Sequence, residues 1–140
     1  MTTPTFQISF ERRPGTDMTT KNLLKHPEVK DIVTKAVAGV DGDAYIIGDS
    51  EWADGTQSDV LYAPKDESLG HAPIIVEVQH SVNFAFVNRS IRYCTLAYQR
   101  FKTLPVLVVF CINAISGIPI KLLSSSTLPC AMDVHCDLLT

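Results

Sequence analysis

Several features that would assign this sequence to a class at once are missing from it. The 140 residues carry a formal net charge of only −3, so no overall positive charge attracts a polyanion. The stretch from Met1 to Thr20 joins no basic segment to an apolar one, which argues against a secretory signal. The most apolar stretch, 104–120, is short and is interrupted by Pro105, Asn113 and Gly117, which argues against a membrane span. We therefore predict an intracellular protein, nuclear or cytoplasmic, without a membrane segment.

Closely spaced cysteine pairs are also missing. Cys94, Cys111, Cys130 and Cys136 show neither the regular spacing of a secreted disulfide framework nor a CxxC motif. We predict that they are reduced, and that the first two lie in apolar surroundings. A zinc site formed by His135 with Cys111, Cys130 and Cys136 is a weaker interpretation, because the spacing is not that of a recognised zinc finger.

The size and composition predict one globular domain, because 46% of the residues are hydrophobic and 19% are charged. We divide the chain into a flexible N-terminal segment (1–20), a core (21–112) and a C-terminal extension of uncertain structure (113–140). After Lys121 the chain has no Lys or Arg, and it ends on the apolar stretch Asp137 to Thr140. That ending is compatible with part of a larger domain or with a homodimer interface.

The pattern of apolar residues predicts an α/β fold. Helical periodicity spans Leu23 to Val37 and, more regularly, Asn83 to Phe101, while short apolar runs predict strands. The predicted strands are Ala44–Ile47, Asp59–Ala63, Ile74–Gln79 and Val106–Ile112. A helix between the last two strands implies a parallel crossover.

One acidic residue interrupts the third predicted strand. Glu77 lies in the otherwise apolar run Ile74 to Val78, and a buried carboxylate without partners is costly. Gln79 shares its face, because side chains two apart in a strand point the same way. If the second and third strands are antiparallel neighbours, Asp59 comes close to Glu77. A divalent cation would relieve their repulsion, and Mg²⁺ binds one or two carboxylates together with phosphate oxygens.

The order Ser58-Asp59-Val60, then Ile74 to Gln79, then a helix and a buried strand resembles the PD-(D/E)XK nuclease superfamily. The resemblance covers about Leu23 to Ile112. The stretch Glu77-Val78-Gln79-His80, followed by Phe86 to Arg89, Tyr93 and Pro105-Val106, is similar to the transposase-associated branch, which often has Gln in the last motif position. The resemblance implies a restriction-endonuclease-like αβββαβ core with a mixed central sheet flanked by helices.

The resemblance also implies roles for individual residues in a metal-dependent nuclease whose substrate is DNA. Asp59 and Glu77 would bind Mg²⁺, or Mn²⁺ in its place, with the backbone carbonyl of Val78 completing the coordination. Gln79 would orient the attacking water, but unlike the family's usual Lys it brings no positive charge. On the second predicted helix, Arg89, Tyr93 and Arg92 would face the nucleic acid. Glu28 is the nearest counterpart of an acidic residue that family members carry in the first helix.

Other interpretations of these residues remain open. The domain can have lost catalysis and serve as a binding or assembly module, as the missing Lys and the acidic net charge favour. Glu77 and Gln79 can form a solvent-facing strand surface that pairs with a Lys or Arg, such as Arg92, and the arginines can be an ordinary solvated helix face. His80 can assist proton transfer only if the strand ends before it. The acidic stretch 49–55 resembles a calcium loop only loosely, and a polar turn fits it better.

Overall fold

A computed structural model describes residues 14–115, 123–125 and 132–134 of the chain. The described residues form three helices and six strands, together with short 3₁₀ turns at Gly42–Ala44 and Glu67–Leu69. The helices are α1 (Pro14–Leu24), α2 (Pro27–Ala38) and α3 (Phe84–Phe101). The strands are β1 (Tyr45–Ile47), β2 (Val60–Pro64), β3 (Ile74–Val82), β4 (Val106–Ile115), β5 (Leu123–Ser125) and β6 (Met132–Val134).

The first four strands form one mixed sheet in the order β1-β2-β3-β4. The pairs β1–β2 and β2–β3 are antiparallel, whereas β3 and β4 are parallel and are connected through α3. This confirms the predicted α/β class and the parallel crossover. β5 and β6 form a separate antiparallel pair in the C-terminal region.

Helices cover both faces of the mixed sheet because its strands are apolar on both sides. On one face, Leu24 and Val33 of the first two helices pack against alternate strand residues such as Tyr62 and Val76. On the other face, Tyr93 and Ala97 of α3 pack with a second set that includes Leu61, Ala63 and Ile75. The continuous apolar runs of β2 and β3 are explained by this double burial.

The prediction of a single helix from Leu23 to Val37 is wrong, because the helical conformation is interrupted between α1 and α2. His26 is extended and accepts a hydrogen bond from the Glu28 amide at its Nδ1 (3.2 Å), and Pro27 occupies the first turn of α2. Proline is favoured at the start of a helix and unfavourable inside one. Gly39 ends α2 in the left-handed conformation. The helix α1 begins at Pro14, inside the segment expected to be flexible.

The later elements agree with the sequence pattern except at their ends. α3 begins after Asn83, whose side chain caps it by accepting from the Phe86 amide (2.9 Å). β3 extends past the predicted end at Gln79 to Val82, because pairing with β4 resumes after an irregularity between Gln79 and Ser81. In the C-terminal extension the sequence also predicts, weakly, a short strand from Ile118 to Leu123; it lies largely outside the described residues, and β5 begins at its last residue. None of the described helices has the length and apolar character that a membrane crossing requires.

Candidate acidic site

The register of β2 and β3 brings Asp59 opposite Glu77. The last paired residues of this ladder are Val60 and Val76, and Asp59 and Glu77 continue it by one position. Asp59 lies just before β2 rather than in it, and Glu77 lies in the middle of β3 rather than near its end. The two acids therefore lie next to each other, as predicted from the strand pattern.

Side-chain oxygens replace the backbone pairing at this position. The backbone amide of Asp59 donates a hydrogen bond to Oε2 of Glu77. The backbone amide of Val78 donates to Oδ2 of Asp59 at 2.9 Å. The Glu77 carboxylate thus accepts from the amide of Asp59 itself, and the Asp59 carboxylate accepts from the amide that follows Glu77. These two hydrogen bonds hold the two side chains together.

Burial and repulsion both act on Glu77. Its side chain lies in the core, with a relative exposure of 3%, so the alternative of a solvent-facing strand surface is wrong. Burial, then the negative charge of Asp59, raise the pKa of Glu77 to about 7, against the smaller lowering effects of the Asp59 amide, Arg89 and Lys21. The folded protein therefore disfavours the ionised form of Glu77.

A lysine of α1 lies beside the acids, which the sequence patterns did not single out. Lys21 occupies the last turn of α1, and its Nζ is 3.9 Å from Oδ1 of Asp59. Both side chains are partly shielded, with relative exposures of 27% and 22%. No local signal marks this residue, because its position depends on how α1 docks against the sheet.

Two residues of α3 lie on the same side of the sheet as Glu77. The Tyr93 side chain is buried, and its hydroxyl donates to the carbonyl of Gln57 at 3.1 Å. Burial, and next the charge of Glu77, raise the pKa of Tyr93, while Arg89 lowers it. One turn earlier, the Arg89 guanidinium lies 5.1 Å from the centre of the Phe86 ring. The predicted pair Arg89 and Tyr93 therefore lies within electrostatic range of the acids.

The residues that follow Glu77 in β3 divide between the two faces of the sheet. Gln79 is half-buried and, two positions along, shares the face of Glu77. The Val78 side chain packs on the opposite face of the sheet, against the core that α1 and α2 cover. Its backbone amide donates to Asp59. His80 is exposed, and β3 does not end before it but continues to Val82. Strand periodicity therefore directs the His80 side chain away from the acids.

The other arginines of α3 contact the loop before β2. Arg92 pairs through its Nε with Oδ2 of Asp54 at 2.6 Å, so its carboxylate partner is Asp54 rather than Glu77. The Arg100 guanidinium lies 4.1 Å from the centre of the Trp52 ring and donates to the carbonyls of Asp49 and Glu51. The helix face predicted to be basic thus holds this loop, and its role toward nucleic acid stays a prediction.

The remaining candidates are placed away from the acids or lie outside the described residues. Asp49 and Asp54 accept hydrogen bonds from the amides of Glu51 and Thr56, which is the arrangement of polar turns. The exposed Glu28 lies 3.9 Å from His26. Cys94 is partly buried and Cys111 is exposed, and the described residues contain no group of three or more His, Cys, Asp or Glu suited to a metal. The other proposed zinc ligands, Cys130, His135 and Cys136, lie outside the described part.

Comparisons of the chain with protein-family models, with curated proteins and with solved structures found no match.

Proposed function

We propose that this chain is a metal-dependent nuclease that hydrolyses phosphodiester bonds, with DNA as its substrate by analogy with the family that its motifs resemble. The observation that carries the proposal is the pairing of Asp59 with the buried Glu77, whose pKa is raised to about 7 by burial and by the Asp59 charge. A buried acid beside a second acid is costly unless something uses or neutralises its charge. Perturbed acids of this kind are typical of functional sites.

The donor set fits Mg²⁺, with Mn²⁺ as a substitute. Oxygen atoms are the ligands that these hard cations prefer, and Mg²⁺ commonly takes only one or two carboxylates from the protein. Asp59 and Glu77 supply two, and the backbone carbonyl of Val78 is the third ligand we propose. When bound, such an ion supplies Lewis-acid polarisation of the phosphoryl oxygen and an acidified water.

The chain's own residues would then bind and orient the reactants. Gln79, on the face of Glu77, can hold a water through its side-chain amide. The Arg89 guanidinium and the Tyr93 hydroxyl lie on the helix that packs over this face, where they can contact phosphate. The site needs such local contacts because the chain as a whole is acidic.

The order of the elements supports the assignment to a restriction-endonuclease-like core. One helical region precedes three antiparallel strands, and α3 then connects β3 to the parallel strand β4. This is the αβββαβ order that the resemblance implies, with the acids in the second and third strand regions. Fold likeness alone does not assign a function, so the proposal depends on the acids.

The direct test is cleavage of plasmid DNA by the purified full chain with Mg²⁺ or Mn²⁺. We expect the wild type to cleave and Asp59→Asn and Glu77→Gln to be inactive, because both substitutions keep the shape and remove a charged ligand. Glu67→Gln, at an exposed position in a surface turn, is the matched control and should retain full activity. Calorimetry with Mn²⁺ gives a second readout. A wild type that cleaves with neither metal would overturn the nuclease, and failure to bind Mn²⁺ would overturn the metal site as well.

The second candidate is a binding or assembly module of the same fold without turnover. It is favoured by Gln79, which stands where the related nucleases usually have Lys, and by the hydrogen bonds that already satisfy Oε2 of Glu77 and Oδ2 of Asp59. A wild-type protein that binds DNA but does not cleave it with either metal would support this candidate. A homodimer is compatible with both functions, and sedimentation of the purified chain tests it.

A further inference from the structure

We propose that Lys21 provides the positive charge that Gln79 lacks, by contacting the substrate phosphate at the acidic site through its Nζ. The inference rests on the proposed function and names a residue that recognises the phosphate. Its basis is the approach of the Lys21 ammonium to 3.9 Å from Asp59 Oδ1, with both side chains partly shielded from solvent. Lys21 is 38 residues before Asp59 in the chain, so the contact is made by the fold and not by local sequence.

The end of α1 is fixed on the sheet, which sets the position of Lys21. Leu24, one turn after Lys21, is buried, and its carbonyl accepts a hydrogen bond of 2.6 Å from the Tyr62 hydroxyl of β2. Tyr62 is itself fully buried in the same core. The helix end that carries Lys21 is therefore attached to the strand that Asp59 precedes. A fixed backbone limits where the lysine side chain can reach.

The Lys21 ammonium lies close enough to the acids to reach a phosphate bound beside them. A separation of 3.9 Å lies at the outer limit of a salt bridge and beyond direct hydrogen-bond length. The flexible four-carbon stem of lysine lets its ammonium reorient toward a phosphate that approaches the acids. Charge develops on phosphate oxygens during hydrolysis, and a cation beside them stabilises it.

Lys25 offers a matched control for the test. It lies one turn farther along, just after the end of α1, and it is exposed. Lys21→Met and Lys25→Met remove the same charge from the same region, so they change the overall field equally. Lys21→Arg keeps the charge at the site. Circular dichroism and thermal unfolding establish that each variant is folded.

The experiment measures cleavage of a fluorescent DNA duplex with Mg²⁺ and, separately, binding of that duplex with Ca²⁺. We expect Lys21→Met to lower kcat by about a hundredfold, Lys21→Arg to recover part of the loss, and Lys25→Met to behave as wild type. We also expect Lys21→Met to weaken binding with Ca²⁺ more than Lys25→Met does.

The two measurements separate this inference from the proposed function. If the wild type cleaves and the Lys21 and Lys25 variants are equal in both measurements, the role of Lys21 is wrong and the nuclease stands. If the wild type does not cleave but Lys21→Met alone weakens binding, the phosphate contact stands and the nuclease is wrong. If the wild type does not cleave and the two Met variants bind equally, both proposals are wrong.

Discussion

The backbone amide of Asp59 donates a hydrogen bond to the Glu77 carboxylate, and the amide that follows Glu77 donates to the Asp59 carboxylate. This reciprocal arrangement occurs where the backbone ladder between β2 and β3 ends. It satisfies one oxygen of each acid without neutralising either charge. The protein therefore keeps two acids together at an electrostatic cost that depends on pH.

Without divalent metal, we expect the protein to lose stability as the pH rises from about 4.5 to about 7. The pKa of Glu77 is raised from 4.5 to about 7 in the folded protein, so the folded chain holds this proton more tightly than the unfolded chain. The resulting stabilisation is complete below pH 4.5 and is lost through pH 7, and it amounts to about 3 kcal/mol at most.

Glu77→Gln removes this dependence because glutamine does not ionise. We expect the variant to be more stable than the wild type at pH 8, and the difference between them to shrink as the pH falls. Urea unfolding in the presence of a chelator, repeated across the pH range, measures this difference in the free energy of unfolding. Glu67→Gln, at an exposed position, should follow the wild type. A constant difference between wild type and Glu77→Gln at all pH values would contradict the assigned pKa.

The proposed nuclease makes a separate prediction for Gln79. We expect Gln79→Ala to lower kcat about tenfold or more, because an ordered water loses its hydrogen-bond partner. Gln79→Lys should be at least as active as the wild type, since it introduces the residue usual in the nucleases that the motifs of this chain resemble. Steady-state cleavage assays separate kcat from KM. Equal activity of the wild type and Gln79→Ala would exclude a role in orienting water.

The main elements of the acidic site follow from strand periodicity. Alternating faces and one antiparallel register are enough to bring Asp59 opposite Glu77, and both were readable from apolar runs of five or six residues. The α3 helix was equally readable, because its apolar positions recur at steps of three and four. These features depend on local sequence, which is why they could be predicted.

The features that were missed depend on contacts between distant residues or on a single local interruption. The periodicity of the first helical region continues across the break between α1 and α2, and only His26-Pro27 marks it. Lys21 reaches the acids because Tyr62 bonds to Leu24, 38 residues away in sequence. No periodic pattern encodes such a docking contact, so this part of the site required the fold.

Arg100 is expected to stabilise the loop before β2 rather than to bind a ligand. Its guanidinium stacks on Trp52 and donates to two loop carbonyls, so Arg100→Ala should destabilise the protein by about 1–2 kcal/mol. Arg100→Lys should recover little, because an ammonium lacks the planar fork. Trp52 is the only tryptophan of the chain, so its fluorescence reports on this loop during unfolding.

The matched control for Arg100 is Gln99→Ala, at an exposed neighbouring position on α3. It should leave both the unfolding midpoint and the Trp52 spectrum unchanged. An Arg100→Ala protein with the stability and fluorescence of the wild type would show that the contact between α3 and the loop contributes nothing.

Tyr62 attaches α1 to the sheet, and the stability lost on removing its hydroxyl should decrease at alkaline pH. Tyr62→Phe leaves the Leu24 carbonyl without its donor and should cost about 1–2 kcal/mol at pH 7.

Burial raises the pKa of Tyr62 from 10 to about 12. The unfolded chain therefore loses this proton first, and the wild type loses stability as the pH rises from 10 to 12. Tyr62→Phe lacks that contribution, so its deficit should shrink across this range, whereas Tyr98→Phe, at an exposed position, should parallel the wild type throughout. A Tyr62→Phe deficit that stays constant up to pH 12 would mean that this hydroxyl is not protected by the fold.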